Sequence, residues 1–210
     1  MDNQESLGWF GKLPCVGDFC SHGISTTLES TLDCTLSTAM QLAVEKHAEH
    51  WEQAYFNAPV HGFVWNHESN HSESTGPFFT LGVLMPSVDR AGRAFPFVLI
   101  KQFERHHVAH SLRFVQTWMN KAFHIASSAL DDEWPLERLR TCRIQADHGF
   151  NTHNETEKLD LDDLMSWPEV GMCNWYLLGQ LNPPPLQPVL TSQGFSQPQA
   201  LLSLWKLHSL

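Results

Sequence analysis

Two runs of apolar, β-branched and aromatic residues, Phe78 to Met85 and Phe95 to Phe103, flank the segment PSVDRAGRA, which carries Pro86, Asp89 and Gly92. Such runs on either side of turn-forming residues predict a β-hairpin. Pro86 and Pro96 fix φ beside the strand ends, and Gly92 supplies a position that tolerates positive φ.

Around this hairpin the apolar spacing changes from strand-like to helical. Leu32, Leu36, Met40, Ala43, His47, Trp51 and Tyr55 recur at intervals of three and four, which predicts one long helix from about Ser30 to Phe56, closed by Pro59. A second amphipathic helix is predicted from about His106 to Leu130, with Leu112, Val115, Ala122, Ala126 and Ala129 on its buried stripe. A short helix is predicted over Leu136 to Thr141 and another over Leu159 to Trp167. A terminal helix is expected from about Ser196 to Leu207, with Ser196 as cap and Pro198 in its first turn. Val60 to Trp65 and Cys173 to Leu178 read as strands. The opening segment, Leu7 to Phe19, reads as a short strand ending in a tight turn, Asn66 to Pro77 as a polar loop, and Asn182 to Pro188 as an extended proline-rich connector. Strands bunched in the first half with long helices between them give an α+β fold. The expectation is a single domain over residues 1–210, with a mixed, partly antiparallel sheet packed by two long helices and shorter C-terminal helices.

Charge then narrows the function. Asp and Glu number 23 against 13 Lys and Arg, a formal net charge of -10. Polyanion binding releases counterions through a basic stripe, which this chain lacks, so nucleic acid is excluded as a partner. Anionic lipid surfaces repel it for the same reason. With 42% hydrophobic and 17% charged residues the 210-residue chain is a folded one, burying about 70% of its surface. No apolar stretch reaches the length of a spanning helix, and the acidic start, MDNQESLGWF, lacks the layout of a leader, so a cytoplasmic location is expected. Five cysteines with no CxxC pair read as reduced, mostly buried thiols.

Catalytic patterns are few. His67-Glu68-Ser69-Asn70-His71 satisfies HExxH, whose chemistry needs both imidazoles on one helix face to hold Zn²⁺ while the Glu reaches the bound water. A zinc-dependent hydrolase using His67, Glu68 and His71 is therefore the alternative function. Its flanks, Trp65-Asn66 and Ser72 to Pro77, are poor helix formers, which favours a solvated loop. His47 with His50, and His107 with His110, have a spacing that suits two ligands, but no carboxylate or thiolate cluster completes a site. Cys15, Cys20 and His22 form a loose group without a zinc-knuckle spacing. A GxSxG elbow and the glycine-rich phosphate loops are missing from the sequence, so no cofactor, resident metal or small-molecule substrate is expected.

Two further blocks stand out: Gly8-Trp9-Phe10-Gly11-Lys12-Leu13-Pro14 followed by Gly17-Asp18-Phe19, and GVLMPSVDRAGRAFPF from Gly82 to Phe97. In residues, order and separation they resemble the TagF family of type VI secretion-associated proteins. Cys173 to Tyr176 and Gly194 to Leu204 resemble that family more faintly. The resemblance implies a cytoplasmic, non-catalytic accessory protein that restrains type VI secretion after translation by binding the forkhead-associated scaffold protein of that system. Within the two blocks, Asp18, Asp89, Arg90 and Arg93 either pair with one another or face a partner, since the planar guanidinium suits two-point binding of a carboxylate in both cases. Trp9 and Phe10 stand between core and interface in the same way. The candidate partner-binding residues are Trp9, Asp18, Asp89, Arg90 and Arg93.

Overall fold

A computed structural model of the chain describes residues 7–66, 78–104, 112–144, 167–179 and 187–207. Its strands are β1 (Gly8–Gly11), β2 (Cys20–His22), β3 (His61–Asn66), β4 (Phe78–Met85), β5 (Phe97–Glu104), β6 (Met172–Leu177) and β7 (Leu190–Gln193). Its helices are α1 (Thr26–His47), α2 (Trp51–Phe56), α3 (Leu112–Asp131), α4 (Leu136–Thr141) and α5 (Pro198–Leu204). The strands form one sheet in the order β2-β1-β5-β4-β3-β6-β7, and every pairing is antiparallel. The class is α+β.

The predicted hairpin lies at the centre of the sheet, in register from Phe78 opposite Glu104 to Met85 opposite Phe97. Its second strand starts two residues later than expected. Pro96 has no N–H for a ladder, and the Phe95 amide bonds the Ser87 carbonyl at 3.0 Å instead. The runs are apolar throughout because the sheet is covered on both faces, as buried strands require. Phe97, Leu99 and Phe103 point into a cluster with Val115, Trp118, Met119, Ala122 and Ala126 of α3. Val98 and Ile100 point the other way, into a cluster with Leu28, Leu32, Leu36 and Ala39 of α1 and Leu201 of α5. Burying each such side chain contributes about 1.5–3 kcal/mol.

Gly82 belongs to this packing. It stands opposite Phe63, and a Cβ there would run into the Phe63 ring and Ile100, so hydrogen is the only side chain that the ring's position admits.

Several expectations are corrected. The first helix is two helices. It starts earlier, at Ser25, whose Oγ accepts the Leu28 N–H at 3.2 Å, and it breaks at residues 48–50 before α2. The terminal helix starts at Pro198 with Gln197 in the cap position and no side-chain cap, so Ser196 does not cap it. Strands β2 and β7 were not expected. The predicted loop beyond Asn66, the helix over Leu159 to Trp167, most of the proline-rich connector and the start of the second long helix lie outside the described residues.

Candidate functional site

β1 pairs with β5 at Gly11 and Phe97, and β4 pairs with β5 at Met85 and Phe97. The segment after β1, residues 12–19, and the turn after β4, residues 86–96, therefore leave the sheet at the same end. Gly11 makes this junction possible: its φ is +126°, and a Cβ on it would strike the Pro96 carbonyl. The two sequence blocks are thereby brought side by side.

Asp89 joins them. Its Oδ1 accepts the Ala91 and Arg93 amides at 2.9 and 3.0 Å. Its Oδ2 meets Lys12 Nζ at 3.0 Å and Arg93 Nε at 2.7 Å, with the carboxylate fully buried. Burial pushes the Asp89 carboxyl up, but the Arg93 amide, Lys12, the Arg93 side chain and the Ala91 amide outweigh it and hold the group well below the ordinary value of 3.8. The turn itself is closed by the Gly92 amide on the Asp89 carbonyl at 2.8 Å and the Asp89 amide on the Arg93 carbonyl at 3.1 Å.

The arginines carry the clamp across to the other segment. Arg93 Nη2 donates to the Gly17 carbonyl at 2.7 Å, Arg90 Nη2 donates to the Cys15 carbonyl, and the Arg90 amide donates to the Val16 carbonyl at 2.8 Å. Beneath them, buried Ser87 donates its hydroxyl to the Lys12 carbonyl at 2.7 Å. Ser87 also exchanges two bonds with Tyr55 of α2. Its amide donates to the Tyr55 hydroxyl at 2.9 Å, and that hydroxyl donates to its carbonyl at 3.1 Å.

Each of the five candidate residues has a clear place. Trp9 is core, its ring 4.5 Å from that of His22 and its Nε1 without a partner among the described residues. Phe10 is core as well. Asp89 is the buried hub, while Arg90 and Arg93 lie exposed above it. Asp18 is exposed and accepts the Phe19 amide on its Oδ1 at 2.8 Å. Sequence reasoning did not name Lys12, Ser87, Phe19 or Tyr55 as site residues. The first three stand inside the two blocks and were within reach, whereas Tyr55 reads only as part of the first helix's apolar stripe.

The other sequence candidates fall in two groups. His67, Glu68, His71, His107 and His110 lie outside the described residues. His47 is half-buried and His50 exposed. All five cysteines are free: Cys20 and Cys173 are buried, Cys15 and Cys142 half-buried, and Cys34 exposed. Burial, with Cys15 adding to it, pushes the Cys20 thiol up to about 12, so it is no nucleophile at neutral pH. Among the described residues no three or more His, Cys, Asp and Glu are grouped to hold a metal ion. No described helix is long and apolar enough to cross a membrane.

The family model of the TagF N-terminal domain, type VI secretion system-associated, matches residues 8–144 and so spans both interlocked blocks. No curated protein sequence matches the chain. The crystal structure of PA0076 from Pseudomonas aeruginosa PAO1 has a similar fold, with a TM-score of 0.72 at 22% identity over 98% of this chain and 96% of that one.

Proposed function

The chain belongs to the TagF family of type VI secretion system-associated proteins, and on that premise we propose that it restrains type VI secretion after translation by docking on the cytoplasmic forkhead-associated scaffold of the apparatus. Family membership over residues 8–144 carries the reading. The clamp supports it physically. Lys12, Asp89, Arg90 and Arg93 are tied to one another or to backbone carbonyls, so the arginine-bearing turn forms a preorganised surface, and preorganisation lowers the entropic cost of association. On this reading the protein acts by occupancy, in the cytoplasm and without turnover. Arg90, Arg93 and Asp18 meet the partner, while Trp9 and Asp89 fix the shape from below.

Purified scaffold should capture the purified full-length protein directly. Deleting the gene in the native host should raise secretion with transcript levels unchanged. Unchanged secretion together with no captured apparatus component would contradict the proposal.

A further inference from the structure

Phe19 is 46% exposed, yet its ring is not loose. It meets Phe95 edge-on at 4.6 Å and stacks with Phe10 at 6.1 Å, and the Lys12 ammonium lies 5.0 Å from its centre. An exposed aromatic held on three sides loses little freedom when a partner covers it, and aromatics and arginines dominate interface hot spots. Beside it, Lys12 and Arg93 share one carboxylate oxygen of Asp89. Arg90 has no carboxylate against it among the described residues and uses Nη2 on the Cys15 carbonyl; among those residues most of its five N–H donors meet no acceptor. Three cations on the two interlocked segments, Lys12, Arg90 and Arg93, thus stand against two carboxylates, buried Asp89 and exposed Asp18, which leaves one positive charge over on a chain whose net charge is -10. Glu133 and Glu137 act on Cys15, which packs with the α3-side cluster, whereas Phe10 and Phe95 belong to the α1-side cluster.

From this we infer that Phe19, Arg90 and Arg93 form the docking surface itself, and that it takes an acidic protein surface presenting Asp or Glu carboxylates beside an apolar recess that receives the Phe19 ring. The inference rests on the scaffold reading above and adds the contact face and the chemistry of its complement. Charge complementarity of this kind sets approach rate and salt dependence as well as affinity.

The test is a titration of the full-length protein into purified scaffold at low and high NaCl. It uses wild type, Phe19→Ala, Arg90→Glu and, as a control of equal charge change on α1, Lys46→Glu, each checked for folding by its thermal transition. The expected result is wild-type binding that weakens with salt, a loss of about tenfold or more for both Phe19→Ala and Arg90→Glu, a flatter salt dependence for Arg90→Glu, and near wild-type binding for Lys46→Glu. Wild-type binding that both patch variants retain would overturn this face while leaving the scaffold reading intact. No wild-type binding would overturn both. Binding abolished by phosphatase treatment of the scaffold would replace carboxylate with phosphate and overturn the assignment. A wild-type homodimer that Arg90→Glu converts to monomer would make a second copy the occupant and overturn it likewise.

Discussion

At Asp89, two amides and two cationic side chains converge on one carboxylate, so removing its charge does more than lose one bond. Asp89→Asn leaves the Lys12 ammonium buried without its counterion, the costly half of breaking such a pair. It should lower the thermal midpoint more than Arg93→Ala does, because Arg93 is exposed and water can replace its contacts; parallel thermal melts check this ordering. The same residue sets an acid limit. Its folded pKa is depressed, so its contribution is complete above the ordinary 3.8 and is lost as pH falls through the folded value. His61 acts in a higher window. Burial, opposed by a hydrogen bond to the Pro59 carbonyl and helped by the Lys206 charge, lowers its pKa from 6.5 to about 4. Between those values the unfolded chain binds a proton that the native chain does not. Stability should therefore be full above pH 6.5 and fall toward pH 4, by on the order of 2–3 kcal/mol. Denaturant titrations at pH 7 and 4.5 should show that loss in wild type and a smaller one in His61→Gln.

At the level of elements, Tyr55 ties α2 to the β4–β5 turn. Tyr55→Phe removes the hydroxyl that serves both the Ser87 amide and carbonyl, leaving the Ser87 amide unpaired and its carbonyl with the Phe95 amide alone, at a cost of about 1–3 kcal/mol; urea denaturation measures it. Gly82→Ala should cost roughly 1–3 kcal/mol by forcing the Phe63 ring aside, where most alanine substitutions in a strand are mild. How far the elements were legible follows from the same physics. The central hairpin showed itself because composition and turn residues agreed over its whole length. The break between α1 and α2 did not, because the apolar spacing from Ala43 through His47 to Trp51 and Tyr55 continues across it; only the pull of Ser87, 32 residues along from Tyr55, gives the turn a purpose. β2 and β7, at three and four residues, are too short and too polar to show a period.

For the whole molecule, the two blocks were legible as motifs but not as a clamp. Nothing local in the sequence states that Lys12 is buried against Asp89 or that Arg90 reaches Cys15; those facts come from β1 lying beside β5. The sheet also runs on past the matched region through β6 and β7, and α5 packs on α1, in the same cluster as Phe10 and Phe95, the rings against Phe19. Such a surface can restrain an apparatus by covering a site, and covering is stoichiometric. Graded expression of the full-length protein in a deletion strain, with the copies of protein and scaffold counted alongside secretion, separates covering from catalysis. The account predicts that secretion declines in proportion until one chain is present per scaffold and is flat beyond. Complete suppression at levels far below one chain per scaffold would show turnover and contradict it.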